Sequence, residues 1–211
     1  MKIPPCVIIG GGGHARVVLD ILFLSKLGQP QAIIDSDKSR HGSKLCDVPI
    51  VGGDEALDNL KDIHHFVMGI AGAGNNAPRM RLYKMALEKG LKPLTIIHPG
   101  AIVSPQAAIA DGVQIFPGAI INAGATIGEN VIVNSRAIVE HDVIVNAHAH
   151  IAPGACVCGA VQVGEGAHVG AASVIRQGIK IGTRAIVGIG AVVLNDIAED
   201  TTVIGNPART N

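Results

Sequence analysis

Aromatic residues are nearly absent from this chain. Although 48% of its 211 residues are hydrophobic, it has no Trp, one Tyr and three Phe. A chain of this length can bury a sizeable core, so that core must be built from Ile, Val, Leu and Ala. The shortage also removes the aromatic platforms on which the bases of nucleic acids stack.

Charge of one sign is lacking as well. The chain carries 17 Lys and Arg residues against 17 Asp and Glu residues, and its isoelectric point is about 7.1. No basic field is therefore available to hold a polyanion, and nucleic acid is not an expected partner.

Cysteine is sparse, and no long uncharged apolar run exists. Cys6, Cys46, Cys156 and Cys158 match neither a disulfide framework nor paired zinc-binding C-x-x-C motifs, which favours reduced thiols in the cytoplasm. The short apolar run Cys6–Ile9 breaks into four glycines and does not resemble a signal peptide. No run reaches the length of roughly 18 uncharged apolar residues that a membrane helix needs, so no membrane insertion is expected.

A six-residue repeat dominates the second half of the sequence. Every sixth residue from Ile97 to Val193 is Ile or Val, and the residue four positions after each is small or aliphatic. This period predicts a parallel β-helix in which three hexads close one coil, so that residues three hexads apart stack. β-branched side chains would fill an interior too narrow for Phe or Trp. Phe116, which follows an inward Ile, is expected to point out of the coil.

Before residue 94 the repeat is replaced by an α/β pattern. Cys6–Ile9 and Gln31–Ile34 are predicted strands on either side of a helix over Ala15–Leu27, and Pro78–Lys89 is a second predicted helix. Because a strand, a helix and a strand in succession form a βαβ unit, we expect a mainly parallel sheet. The sequence thus predicts an α/β domain over residues 1–93 and a β-helix domain over residues 94–211.

The α/β domain contains a glycine-rich loop, Gly10-Gly11-Gly12-Gly13-His14-Ala15, between a strand and a helix. Backbone amides and the helix N-terminus can bind a phosphate there, and Asp35 lies at a suitable distance for a ribose or base contact. A tight turn without a ligand explains the same residues. The loop also does not distinguish a dinucleotide from a nucleotide-linked substrate, although one short βαβ unit leaves little room for a dinucleotide fold.

The β-helix contains a candidate acid–base group in the run Glu140-His141-Asp142, at a corner of the hexad frame. A carboxylate beside an imidazole fixes its tautomer and favours a general base, and either Asp142 or Glu140 could play that part. Gly159 lies one coil above His141, where its open amide could stabilise an oxyanion. Solvated corner residues without a catalytic role are the alternative explanation.

The other histidines of the β-helix give no metal-binding pattern. His150 and His168 are three hexads apart and should stack on an outward, corner-facing column, with His168 solvated. Gamma-class carbonic anhydrases share the β-helix and bind zinc through two histidines five residues apart. His141, His148, His150 and His168 offer spacings of 7, 2 and 18, so no metal is expected.

Several stretches together resemble one family. VIIGGGGHARVVLDIL, AIIDSD, IHPGAIVSP, VEHDVIV and GNPAR are similar to the sialic acid O-acetyltransferase-like, or sugar O-acyltransferase, family of left-handed β-helix hexapeptide transferases. The likeness covers nearly the whole chain. It is greatest to members that N-acetylate nucleotide-linked 4-amino-4,6-dideoxy sugars, and especially GDP-linked perosamine.

This resemblance implies a function and partners. The expected protein is a cytoplasmic homotrimer in polysaccharide (O-antigen) biosynthesis that uses acetyl-CoA, needs no metal and has active sites between subunits. The expected substrate is GDP-perosamine, with a UDP-linked 4-amino sugar as the alternative. An O-acetyltransferase of the sialic acid type would use the same histidine on a hydroxyl. A zinc lyase or a non-catalytic β-helix is the alternative of a different class.

The resemblance also implies roles for individual residues. His141 corresponds to the general base, Asp142 to its acidic partner and Gly159 to the glycine near the thioester carbonyl. The nucleotide and the sugar would be held by Gly12, Gly13, His14, Asp35, Asn134 and His150. Besides Gly159, the contacts to coenzyme A would come from Ala171, Ile189 and Arg209.

Overall fold

The computed structural model describes residues 3–72 and 74–211, which form two compact units. One unit contains the chain up to Ala71 together with Arg81–Ile96, and the other contains Gly72–Met80 and Ile97–Asn211. In the described parts of the chain, no helix has the length and apolarity needed to cross a bilayer.

The first unit is built on one six-stranded sheet with the order β3-β4-β2-β1-β5-β6. All neighbouring strands are parallel except the β3–β4 pair. The elements are β1 (Pro5–Ile9), α1 (Gly13–Ser25), β2 (Gln29–Ile34), β3 (Lys44–Leu45), β4 (Val48–Gly52), β5 (His65–Met68), α2 (Ala77–Glu88) and β6 (Lys92–Pro93), with 3-10 helices at Lys38–Arg40 and Asp54–Asn59.

The core of this unit explains where two of the few aromatic side chains lie. Phe66 and Tyr83 pack edge to face with their ring centroids 5.3 Å apart, and both are buried among aliphatic residues such as Val7 and Ile34. The predicted βαβ start is confirmed. Helix α1 begins two residues earlier than predicted and ends at Ser25, because Lys26 adopts a left-handed conformation (φ 55°).

The second unit is the parallel β-helix that the hexad period predicts. Strands three hexads apart pair in register, so that Val139 lies beside Val157 and Val157 beside Ile175. Three sheets form its sides. Its strands are β7 (Ile96–Ile97), β8 (Ile102–Val103), β9 (Ala108–Ile109), β10 (Gln114–Ile115), β11 (Ile120–Ile121), β12 (Thr126–Ile127), β13 (Ile132–Val133), β14 (Ile138–Val139), β15 (Ile144–Val145), β16 (His150–Ile151), β17 (Cys156–Val157), β18 (Gln162–Val163), β19 (His168–Val169), β20 (Val174–Ile175), β21 (Lys180–Ile181), β22 (Ile186–Val187), β23 (Val192–Val193), β24 (Thr202–Ile204) and β25 (Arg209–Thr210).

The interior of the coil is an uninterrupted stack of small and β-branched side chains. Ile121, Val139 and Val157 are fully buried, as is Ala155 between the strands. Phe116 is also buried but lies outside this interior cluster, as expected of a side chain that points out of the coil.

Each coil turns its corners through a residue with positive φ. Glycine often takes this position, but Asp142 (φ 59°) and His148 (φ 63°) adopt it too. The left-handed conformation is unfavourable for a residue with a Cβ, by roughly 1–2 kcal/mol, and Asn and Asp tolerate it best. Asp142 is thereby fixed directly after His141 at a corner.

The segment Gly72–Met80 falls within residues 1–93 of the sequence, yet it groups with the β-helix. Asn76 Nδ2 donates to the carbonyl oxygens of Gly166 (3.0 Å) and Ala167 (3.2 Å), and Arg79 Nε donates to that of Asn130 (3.4 Å). The six-residue repeat does not predict that this added segment, Gly72–Met80, packs on the β-helix.

A larger side chain in the coil interior should destabilise the β-helix. We expect Val157→Phe to lower the free energy of unfolding by about 1–3 kcal/mol or more, because the closely packed interior has no space for a ring. Ile144→Phe is the control, since Ile144 points outward and is 41% exposed. Thermal melting monitored by circular dichroism checks both variants, and equal melting temperatures would contradict the account of the missing aromatics.

Candidate active site

His141 and Asp142 lie at the corner between β14 and β15. His141 Nδ1 is 2.9 Å from Asp142 Oδ2, and both side chains are well exposed. Glu140 is not the partner of the imidazole, because its Oε2 accepts a hydrogen bond from Asn122 Nδ2 at 2.9 Å. A proton on Nδ1 of the neutral ring is thus held by Asp142, which leaves Nε2 able to accept another.

Two glycines provide the space for this pair. A Cβ on Gly159, in the coil above, would lie 2.5 Å from His141 Nε2, and one on Gly124, in the coil below, would overlap Asp142 Oδ1. The coils are joined by the hydrogen bond from the Ala160 amide to the His141 carbonyl, 2.9 Å. The predicted stacking of Gly159 on His141 is confirmed. No motif in the sequence indicated Gly124, although it lies three hexads before Asp142.

The Gly159 amide is a candidate oxyanion donor. Among the residues at 3–72 and 74–211, none accepts a hydrogen bond from this N–H, whereas the neighbouring Ala160 amide is engaged. Gly159 is buried, so its unpaired amide next to the imidazole is a candidate donor only to a ligand that enters at this corner.

A groove begins next to this corner. It has a volume of about 650 Å³ and is lined by Cys158, Val174, Gln177 and Leu194 among others. Gln177 lies one coil above Gly159, and the Gly178 amide donates to the Gly159 carbonyl at 3.0 Å. Leu194 also lines a second cavity, which extends to Arg209 on the C-terminal hairpin. The two cavities share Val193 and Leu194 in their linings.

The structure places Ala171 and Ile189 at a different corner from His141. They stack through the hydrogen bond from the Gly190 amide to the Ala171 carbonyl, 2.8 Å, and Ile189 is 81% exposed. Asn134 lies at the same corner, after β13. The sheet that contains β14, β17 and β20 separates this corner from His141, so a single β-helix does not bring the two sets together.

His150 does not occupy the predicted corner-facing column. It lies on β16 and pairs with His168 on β19, with ring centroids 5.0 Å apart. His150 is only 5% exposed, because its Nδ1 binds the Gly72 carbonyl oxygen (2.7 Å) beneath the added segment. Nδ1 must donate to that carbonyl, so Nε2 accepts from Asn134 Nδ2 at 3.0 Å. The ring therefore positions Asn134.

His168 was expected to be solvated and is instead half-buried. Burial lowers its pKa below the usual value for histidine, and within the part of the chain that the structure describes its buried Nδ1 has no hydrogen-bond partner. Burial also lowers the pKa of His148. Both rings are thus favoured in the neutral form.

The glycine-rich loop has two open and two packed positions. A Cβ on Gly12 or Gly13 would meet no atom within 4 Å, and Gly12 begins α1 without a side-chain cap. Gly10 (φ 95°) and Gly11 are required by packing, because a Cβ on them would overlap Ile70 or lie 2.9 Å from Asp35 Oδ2. Open amides at a helix N-terminus can bind a phosphate, with His14 following in the first turn.

Asp35 is engaged with the loop rather than free. Its Oδ2 accepts from the Gly11 amide (2.7 Å) and from Arg40 Nη1 (3.1 Å), and its Oδ1 accepts from the Asp37 amide (2.9 Å). Arg40 also donates to the Gly11 carbonyl at 2.6 Å. Asp35 thus positions the glycine-rich loop, and a ribose contact by Asp35 stays a prediction. No motif in the sequence indicated Arg40.

A small cavity of about 110 Å³ lies beside the loop. Its lining includes Ile9 and Ile34 at the carboxyl ends of β1 and β2, together with Ile70, Asp54 and Arg81. The chain turns from one side of β1 to the other between β2 and β5, and ligands of parallel sheets bind at the carboxyl ends of strands near such a reversal. No group of three or more His, Cys, Asp or Glu able to hold a metal occurs among the described residues.

Known proteins match both units of the chain. Residues 6–86 match the PglD N-terminal domain family. GDP-perosamine N-acetyltransferase of Caulobacter crescentus, solved with CoA and GDP-perosamine, is 36% identical with a TM-score of 0.92; the match covers 100% of this chain and 98% of that one. The acetyltransferase domain of PglB from Neisseria gonorrhoeae, solved with acetyl coenzyme A, is 32% identical with a TM-score of 0.91, over 100% of both chains.

A curated relative covers a shorter part. UDP-N-acetylbacillosamine N-acetyltransferase of Bacillus subtilis is 37% identical over 107 residues, which is 50% of this chain and 48% of that protein. The matches of the whole chain to solved acetyltransferases confirm the expected left-handed β-helix. The chain belongs to the sialic acid O-acetyltransferase-like family of left-handed β-helix hexapeptide transferases, among the members that use acetyl-CoA to N-acetylate nucleotide-linked amino sugars.

Proposed function

We propose that the protein transfers the acetyl group of acetyl-CoA to the 4-amino group of a GDP-linked 4-amino-4,6-dideoxy sugar, with GDP-perosamine as the favoured substrate, in cytoplasmic polysaccharide (O-antigen) biosynthesis. The Caulobacter crescentus relative, solved with CoA and GDP-perosamine, supports the choice of sugar. The Bacillus subtilis relative, named for a UDP-linked sugar, favours a UDP-linked 4-amino sugar as the second candidate.

One observation carries the chemistry: the hydrogen-bonded His141–Asp142 pair stands at an exposed corner, directly beneath Gly159. The sugar amine attacks the thioester carbonyl, and His141 Nε2 takes the proton that the amine loses. The Gly159 amide donates to the oxyanion of the tetrahedral intermediate. The C–S bond then breaks, and the proton on His141 passes to the sulfur, so that CoA leaves as the thiol.

Asp142 acts on the base rather than on the substrate. Its carboxylate accepts from Nδ1 and stabilises the imidazolium that forms when Nε2 is protonated. The amine attacks directly, without an acyl-enzyme: the hexad of His141 contains neither Ser nor Cys, and Cys158 of the coil above serves only to line the groove.

Acetyl-CoA lies along the groove that begins at Cys158, with its thioester at Gly159 and its adenine end towards Arg209. Ala171 and Ile189 contact the pantetheine arm from a neighbouring subunit, since they lie at another corner of their own β-helix. Gly12, Gly13 and His14 hold the diphosphate, and Asn134, positioned by His150, contacts the sugar or the acetyl group.

The proposed assembly is a homotrimer with an active site between each pair of subunits. One face of the β-helix is apolar. Each strand of the sheet formed by β8, β11, β14, β17, β20 and β23 has two residues, of which the second points into the coil and the first points outward. The outward residues are all apolar: Ile102, Ile120, Ile138, Cys156, Val174 and Val192. A continuous apolar stripe of this kind is typical of a subunit interface. It separates the two corners that carry the parts of the site.

Replacing the base should remove the chemistry and keep the cofactor. We expect His141→Asn to lower kcat by roughly 10²–10⁴-fold, with acetyl-CoA affinity nearly unchanged, because the general base is lost. CoA thiol release and calorimetry measure the two effects, with the exposed His64→Asn as control. Near-normal turnover would overturn the base assignment. Transfer to a hydroxyl sugar rather than an amino sugar would indicate an O-acetyltransferase, and stoichiometric zinc a lyase.

A methyl group on Gly159 should displace the base. Because the added Cβ would lie 2.5 Å from His141 Nε2, we expect Gly159→Ala to lower kcat at least about 100-fold while the melting temperature changes little. Gly166→Ala is the matched control: it lies at the third corner, its Cβ would meet no atom closer than 3.4 Å, and Arg184 already occupies the same corner position one coil above. Equal kcat values in the two variants would contradict the arrangement.

A charge on the apolar face should separate the subunits. Ile102 and Ile144 are 65% and 41% exposed and lie on different sheets of the β-helix, and neither lines the proposed cofactor groove. We expect Ile102→Glu to convert a trimer to monomers without transferase activity, and Ile144→Glu to stay trimeric and active, as measured by light scattering and CoA release. A wild-type monomer, or a trimeric Ile102→Glu variant, would contradict the proposed assembly.

A further inference from the structure

We propose that Asp54 and Arg81 read the nucleobase of the substrate, and that together they select guanine. This inference rests on the proposed use of a nucleotide-linked sugar and names the residues that choose among nucleotides. Both side chains line the cavity of about 110 Å³ at the carboxyl ends of β1 and β2. That cavity also includes Gly10 of the glycine-rich loop, so a base in it would lie next to the diphosphate on Gly12 and Gly13.

The lining of the cavity combines apolar and polar groups. Ile9, Ile34, Ile70 and Leu82 contribute apolar side chains, and Asp35, Ser36, Asp54 and Arg81 contribute polar or charged ones. The charged groups are of opposite sign. Apolar side chains beside a few polar groups that can pair with the edge of a ring are the usual composition of a small-molecule site.

Asp54 is the carboxylate that remains available in this cavity. Asp35 is there too, but its oxygens accept from the Gly11 and Asp37 amides and from Arg40. Asp54 begins the 3-10 helix after β4 and is half-buried; in the described residues, its carboxylate meets no hydrogen-bond donor or cation. A carboxylate accepts only, so its ligand must offer donors.

Arg81 is the complementary group. It projects from α2 in the same unit, is exposed, and has no acceptor or carboxylate partner among residues 3–72 and 74–211. A guanidinium donates only, and its planar fork favours two adjacent acceptors. The ligand must therefore offer a pair of acceptors as well as a group of donors.

Guanine is the common base that meets both requirements. Its N1–H and N2–H₂ groups form an adjacent pair of donors for a carboxylate, and its O6 and N7 form the acceptor pair that Arg binds bidentately. Uracil has one N3–H between two carbonyl oxygens, and these would repel the Asp54 carboxylate. Adenine and cytosine place a ring nitrogen acceptor beside the amino group, which is unfavourable for the same carboxylate.

Binding of free nucleoside diphosphates tests this directly by calorimetry. The wild-type protein should bind GDP at least about tenfold more tightly than UDP, because a bidentate base contact is worth roughly 5- to 150-fold in affinity. Inosine diphosphate (IDP), which lacks the 2-amino group, should bind less tightly than GDP. Xanthosine diphosphate (XDP), which has a carbonyl oxygen at that position, should bind least tightly of the three purine nucleotides.

Asp54→Asn should reverse that order. An amide can donate to the C2 carbonyl of xanthine, so we expect GDP to lose about tenfold or more in affinity while XDP gains. Asp62→Asn is the matched control, since Asp62 is an exposed carboxylate of the same unit and does not line the cavity. Arg81→Gln should reduce the preference for GDP over UDP, whereas Lys84→Gln, on the exposed side of α2, should not.

Each outcome decides the inference. Equal affinities of the wild-type protein for GDP and UDP, a preference for UDP, or no nucleotide binding would overturn it, as would an unchanged ratio of GDP to XDP affinity in Asp54→Asn. If that variant fails to fold, the wild-type order of GDP, IDP and XDP decides. Acetylation of GDP-perosamine is measured separately. Transfer that occurs without this base preference contradicts only the inference, whereas the base preference without transfer contradicts only the proposed function.

Discussion

The register between successive coils is the constraint on which the rest of the β-helix depends. Each strand donates its amides to the strand one coil later, so neighbouring coils are held about 4.8 Å apart along the whole domain. This fixed spacing decides what fits at a corner. His141 and Asp142 can stand together only because Gly159 above and Gly124 below leave the space that two side chains would otherwise fill.

The same register explains how much of the structure the sequence could predict. The six-residue period predicted the strands, the aliphatic interior and the stacking of Gly159 on His141, because all three follow from local spacing. Gly124 could have been found by the same arithmetic, since it stands three hexads before Asp142. The choice of Asp142 over Glu140 could not, because it depends on Asn122 one coil below, which occupies the Glu140 carboxylate.

Contacts between segments distant in sequence were beyond prediction. His150 was expected on an outward, corner-facing column, but the segment Gly72–Met80 covers it and binds its Nδ1. Asp35 matched a nucleotide-binding spacing, yet Arg40 and two backbone amides occupy its oxygens. In both cases the residue type was informative and its partner was not, because the spacing of a repeat or motif does not specify which hydrogen-bonding groups the fold brings to a side chain.

The stacked coils also set the length of the groove above the His141 corner. Its lining includes Cys158, Gln177 and Leu194 on successive coils, each adding about 4.8 Å of rise, and a second cavity that shares Leu194 is lined by Arg209. An extended ligand in the groove would therefore be matched to a number of coils rather than to loop lengths. An insertion of three hexads between Gly159 and the hairpin would lengthen the groove by one such step and leave His141 and Asp142 in place, so the reach of the site and its chemistry can vary independently.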